Sequence, residues 1–162
     1  MIQYISTTGG GIPIDFKTAV LNGKAEDGGL YVPTELPQIS TDQLAKWKDY
    51  SYTALAFEIL SLFITPDVIP DDKLKQLIDS SFRPFTHRNI IPHHPLQYGK
   101  NLIVQELFHG PTLSFKDVAM GFVVNLFEYF LSEMNERMTI ANPPMDKHRP
   151  IIVIKPSISW SF

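Results

Sequence analysis

Apolar and polar positions along this 162-residue chain follow two rhythms, and the expected elements come directly from them. Ile2 to Ser6 predicts a short strand. Over Asp15 to Asn22, Phe16, Ala19 and Val20 recur at helical spacing, and Gly23 can end the helix. Asp27-Gly28-Gly29-Leu30-Tyr31-Val32-Pro33 reads as turn, short strand and stop, with Leu30 and Val32 on one face. Three helices are expected next. One runs from Thr41 to about Asp49, a second from Ser51 or Thr53 to about Phe63, closed by Pro66. The third opens at Pro70-Asp71-Asp72 and puts Leu74, Leu77 and Ile78 on one face. Arg83 to Tyr98 has no period and contains Pro84, Pro92 and Pro95, so it reads as a connection.

The pattern then changes. Asn101 to Leu107 reads as a buried strand, His109 to Thr112 as a turn, and about Phe115 to Asn135 as a long helix. The polar positions of that helix are Gly121, Asn125, Glu128, Ser132 and Asn135, which form one narrow stripe. The rest is apolar, so the helix needs protein around most of its circumference. Residues 151–154 form a continuous apolar run after Pro150, the mark of a buried parallel strand. Strand 102–107, helix 115–135 and strand 151–154 therefore predict one right-handed βαβ unit. The expected class is α/β. A helical, mixed N-terminal part spans residues 1–95, and residues 96–162 begin a second, incomplete core with its first βαβ unit.

Composition narrows the function. The chain is 44% hydrophobic and 12% aromatic, enough for an ordinary globular core. Its net charge of −3, without a basic block, argues against nucleic acid and against anionic membrane surfaces. Cysteine is absent, which removes disulfides and thiolate metal sites and suits a cytoplasmic protein. Met1 to Ser6 lacks the charged and apolar regions of a signal peptide. No apolar run reaches the ~18 residues of a membrane span.

Chemistry concentrates in Glu106-Leu-Phe-His-Gly-Pro-Thr-Leu-Ser-Phe-Lys-Asp117. Gly110-Pro111 is a turn pair, Ser114 can cap the helix, and Asp117 completes a Ser-x-x-Asp box. Lys116 then occupies the second helical position, where the helix dipole disfavours a cation. That field, together with partial burial, would favour the neutral amine that a Schiff-base lysine needs. The alternative is a solvated first-turn lysine. Gly9 to Gly11 is either a backbone anion nest or a flexible turn, and it lacks the Lys-Ser/Thr of a phosphate loop. His87, His93 and His94 have no carboxylate or third histidine at ligand spacing, so they read as surface histidines and not as a metal site.

Phe108, His109, Gly110, Pro111, Thr112, Phe115, Lys116 and Asp117 together resemble the pyridoxal-phosphate lysine segment of threonine synthases. Asp27 to Pro33 resembles a second segment of that family. Tyr4, Ser6 and Thr7 match a third, in which Thr8 stands where arginine is common. The resemblance implies the fold type II of pyridoxal 5'-phosphate enzymes. Lys116 would be both the catalytic and the cofactor-binding residue, moving protons once released from the cofactor. The reaction implied converts O-phospho-L-homoserine and water to L-threonine and phosphate. His109, Thr112 and Ser114 are candidates by adjacency only.

After the strand at 151–154, the family continues into Ala-Thr-Ser-Gly-Asp-Thr-Gly, with which only Ser157 aligns here. A complete phosphate cradle is therefore not found, and the chain alone is expected not to complete the reaction. The alternative reading is a non-catalytic, truncated remnant that self-associates through the exposed apolar face of its long helix. A third reading, another lyase or racemase of the same cofactor fold, is disfavoured by the length of the lysine-segment match.

Overall fold

The structure, a computed structural model, describes residues 2–96, 102–141 and 152–154. The loop expected from Asn142 and the alignment of Ser157 lie outside the described residues. Along the chain run β1 (Tyr4–Ser6), α1 (Phe16–Asn22), β2 (Tyr31–Pro33), α2 (Thr41–Trp47), α3 (Tyr52–Leu60) and α4 (Asp71–Phe82). They are followed by β3 (His93–Pro95), β4 (Ile103–Gln105), α5 (Asp117–Glu133), β5 (Thr139–Ala141) and β6 (Ile152–Ile154). The chain divides into two compact units, Met1–Leu126 and Phe127–Phe162.

In the first unit the starts of α1, α2 and α3 follow local capping chemistry, whereas α4 opens after Pro70 without a side-chain cap. The Asp15 carboxylate accepts from the Thr18 N–H at 2.7 Å. Ser40 and Gln43 exchange both bonds of a capping box at the start of α2. The Ser51 hydroxyl accepts from the Ala54 N–H. The apolar face of α4 supplies the densest part of the core: Leu74 and Ile78 are fully buried, as are Ile64 and Ile69 in the α3–α4 connection. Tyr52 and Phe82 meet edge to face with ring centroids 4.8 Å apart, and Phe85 packs on Phe82 at 5.7 Å.

β1 and β2 pair antiparallel, with Tyr4 opposite Pro33. A single carboxylate ties the ends of this pair together. Asp27 accepts from the Ser6 hydroxyl at 2.7 Å, the Gly29 N–H at 3.0 Å, the Gly10 N–H at 3.2 Å and the Thr8 hydroxyl. The glycine run therefore does bind an anion through its backbone, and the anion is the chain's own Asp27. The Thr8 and Ser6 hydroxyls, and then the two backbone N–H groups, lower the Asp27 carboxyl from 3.8 to about 2.

The mixed α/β class is observed, and β4, α5 and β6 follow one another in the expected order. Their pairing differs from the expectation of a parallel strand at 151–154. β6 pairs antiparallel with β5, Ile152 opposite Ala141, and β4 pairs antiparallel with β3, Ile103 opposite Pro95. Thr139–Ala141 was not anticipated as a strand. A partner this close in sequence closes a short loop, which costs less chain entropy than a crossover spanning α5. The strand at 102–107 is also shorter than expected, and Leu102 to Gln105 are exposed rather than buried.

Asp27→Asn is expected to destabilise the first unit at neutral pH and to remove an acid limb. Because the folded-state pKa is depressed, the wild-type contribution is complete above about pH 4 and is lost as pH falls through about 2. Urea denaturation between pH 2 and 7 measures this; the wild-type and variant curves should converge at the acid end.

Candidate functional site

The turn before α5 is built on Asp117. Its carboxylate accepts from the Thr112 hydroxyl at 2.6 Å and from the Thr112 N–H at 2.8 Å. The Thr112 hydroxyl chiefly, helped by the backbone N–H groups of Thr112 and Ser114, holds the Asp117 carboxyl below the usual range. Gly110 lies directly under that carboxylate, so a Cβ there would collide with the Asp117 side chain. Leu113 takes a left-handed backbone, φ 58°, to complete the reversal. Gly110, Thr112 and Asp117 are thus required by one another.

This arrangement differs from the expected cap. The Asp117 carboxylate bonds chiefly to Thr112, and the Ser114 hydroxyl accepts from the Lys116 N–H at 3.3 Å, while the Asp117 N–H donates to the Ser114 carbonyl at 3.0 Å. α5 begins at Asp117, and the Lys116 carbonyl accepts from the Met120 N–H at 2.8 Å. Lys116 therefore stands at the helix entrance, two positions earlier in the helix than expected. Its side chain is exposed, so the partial burial expected of it is not found. No hydrogen bond or ion pair holds its amine among the described residues.

Behind the turn, three imidazoles gather at Glu106. His109 Nε2 lies 2.6 Å from one carboxylate oxygen, and His94 Nε2 lies 3.4 Å from the other. The His87 ring packs on the His109 ring at 4.4 Å, and Phe108 covers His109 on the chain's own side at 4.6 Å. The hydrogen bond from His109, then the nearby imidazoles, hold the Glu106 carboxyl below its usual value. His87 and His94 are exposed histidines, as expected, but they are not isolated. Sequence spacing missed the cluster because its carboxylate arrives from the far strand of the β3–β4 hairpin. No group of three or more His, Asp or Glu among the described residues is arranged to hold a metal ion.

On the α4 side, Gly121 and Asn125 of the α5 polar stripe face the protein, while Glu128, Ser132 and Asn135 are exposed. Asn125 donates to the Ser81 hydroxyl at 2.8 Å and to the Leu77 carbonyl at 3.4 Å. Gly121 faces the Ser81 carbonyl, which an added Cβ would approach to 3.3 Å. Next to this contact, Tyr52, Leu55, Ile59, Phe82, Val118 and Phe122 line an apolar groove of about 360 Å³. No described helix is long and apolar enough to cross a membrane.

Residues 3–82 match the family described as threonine synthase N terminus. Threonine synthase of Schizosaccharomyces pombe is 43% identical over 153 residues, 94% of this chain and 28% of that protein. A match that long necessarily includes Lys116. Threonine synthase-like 2 of Xenopus laevis is 45% identical over 86% of this chain and 29% of its own length. Among solved structures, the PLP-bound threonine synthase of Brucella melitensis superposes with a TM-score of 0.78 at 36% identity, over 85% of this chain and 29% of that one. The yeast threonine synthase gives 0.77 at 42% identity, over 90% of this chain and 28% of that one. The chain spans less than a third of the length of these relatives.

Gly110→Ala is expected to open the turn, because the new methyl group displaces the Asp117 carboxylate from Thr112. The expected result is a lower denaturation midpoint, from steric overlap and a lost charged hydrogen bond. Chemical denaturation measures the loss, and amide exchange at Thr112 locates it. An unchanged Thr112 exchange rate would refute the coupling.

Proposed function

This chain corresponds to the N-terminal portion of threonine synthases, and from that premise we propose that it supplies the lysine of a pyridoxal 5'-phosphate site. In a protein of its relatives' length, Lys116 takes the cofactor aldehyde on its amine. Residues 1–95 form the N-terminal α/β part, and residues 96–162 begin the cofactor-binding core. The reaction is the cytoplasmic conversion of O-phospho-L-homoserine and water to L-threonine and phosphate. The observation that carries this reading is the place of Lys116 at the entrance to α5, directly after a turn fixed by Asp117.

The described residues fit one end of the cofactor. Bound pyridoxal phosphate would supply an electron sink for charge developing on the substrate. Lys116 offers an accessible amine for the aldehyde and a base to move protons once released. Among the described residues the phosphate end has no cradle. A dianion needs several converging N–H groups or cations, and the Gly10 N–H of the glycine loop is already given to Asp27. For this chain alone we therefore derive no catalytic step.

The chain mixed with pyridoxal phosphate is expected to form no tight complex. Borohydride trapping should nevertheless label Lys116 ahead of the other lysines, as read by peptide mapping. Labelling spread evenly over the lysines would sink the assignment. A tight visible band lost in Lys116→Ala would show that the chain holds the cofactor unaided.

A second reading rests on the apolar surface of α5. Met120 and Val124 are 45% and 42% exposed, and the groove beside α3 is open. Such a face favours self-association, because burying one large apolar side chain is worth about 1.5–3 kcal/mol. Sedimentation velocity should show concentration-dependent association that Val124→Glu weakens. A monomer at all concentrations would exclude it.

A further inference from the structure

The cluster at Glu106 has no part in the reaction proposed above, yet it touches every segment leading to Lys116. His87 belongs to the loop after α4, His94 to β3, and His109 to the turn that delivers the lysine. Glu106 follows β4, and its own N–H donates to the Pro92 carbonyl at 3.0 Å, extending the hairpin. One carboxylate therefore spans the hairpin and the turn. The two contacts are unequal. Side-chain exposure is 19% for His109 and 25% for Glu106, against 59% for His94. The short His109 bond dominates, and the His94 pair is a screened surface contact.

We infer that Glu106 is a positioning residue for Lys116: it fastens His109, and through His109 the Gly110–Asp117 turn, to the β3–β4 hairpin. The inference rests on the reading of Lys116 as the cofactor lysine. His109 and Thr112 lie on the same turn, and Thr112 is bonded to Asp117, the residue after Lys116. A displacement of His109 is thus passed to the helix entrance through a few covalent links and one carboxylate. His87 supports the His109 ring from behind. Its Nδ1 lies 3.1 Å from the Asn89 N–H and 2.8 Å from the Asn89 carbonyl, so its ring has a partner in either protonation state.

The groups facing Glu106 are His109, His94 and His87. Because the hydrogen bond from His109 holds the Glu106 carboxyl below its usual 4.5, the clasp loses its charged acceptor only as pH falls below that value.

The test uses the whole chain with Glu106→Gln, Glu106→Ala and His109→Gln, and with His93→Gln as a control outside the cluster. Hydrogen exchange is followed for the amides of residues 110–120 and, as reference, of α4. Glu106→Ala should speed exchange over 110–120 by about tenfold, the equivalent of one charged hydrogen bond, and leave α4 unchanged. Glu106→Gln should speed it less, because the amide still offers an uncharged acceptor. Glu106→Gln and His109→Gln should not add, because they break the same bond. Unchanged exchange at 110–120, or equal acceleration in α4, overturns the clasp. Borohydride trapping of pyridoxal phosphate at Lys116 is read on the same variants and should fall with Glu106→Ala. If exchange changes and the Lys116 share of the label does not, the positioning role is overturned. If wild-type Lys116 takes no preferential label, the cofactor reading has failed, and the exchange data still judge the clasp.

Discussion

The bond between the Asp117 carboxylate and Thr112 decides where the chain reverses and where α5 begins. It spans five residues and closes over Gly110, which has no side chain to obstruct it. Asp27 repeats the device at the other end of the first unit, collecting the hydroxyls and N–H groups of two glycine-containing loops. Neither carboxylate draws its strength from burial. Each gathers several short-range donors in one place, which stabilises the charged form and lowers its pKa. A loop fixed this way has its conformation set at the surface, where a ligand can still reach it.

Much of this was legible in the sequence because it is local. α1, α2 and α3 begin within a residue or two of their capping side chains, since caps act over three or four residues. The lysine segment was legible as a turn followed by a helix for the same reason. The N-terminal boundary of α5 was misread because two acceptors, Ser114 and Asp117, compete for the same few N–H groups, and spacing does not reveal which wins. Strand pairing was misread because an apolar run such as 151–154 carries no signal of its partner's direction. The full cluster at Glu106 was not visible, since His94 reaches it only through the β3–β4 pairing and His87 comes from the loop after α4.

The stripe of α5 shows a different limit of periodicity. Pattern alone marks Gly121 and Asn125 as the polar side of an apolar helix, which is ordinarily the side given to water. In the fold both face α4, where Asn125 satisfies Ser81 and a carbonyl, and Gly121 allows the backbones to approach. Part of the apolar side is left open instead, at Met120, Val124 and the groove beside α3. A buried polar contact fixes rotation about the helix axis more sharply than apolar packing, because an unmatched amide would be costly. The exposure of α5 is therefore a consequence of its anchoring.

Stability and candidate chemistry consequently sit on different segments. Ile64, Ile69, Leu74 and Ile78 form a closed core that owes nothing to the lysine turn. Ile103, Phe108, Leu113 and Phe115, which surround the turn, are 51–74% exposed and add little to that core. A change in the turn should therefore alter the position of Lys116 well before it unfolds the helices. The converse also holds: the turn's conformation depends on its polar fastenings, because apolar burial is not available to hold it. Two carboxylates, Glu106 before the turn and Asp117 after it, provide those fastenings. Their placement on either side of the His-Gly-Pro-Thr segment gives a physical reason for a carboxylate at each end of it.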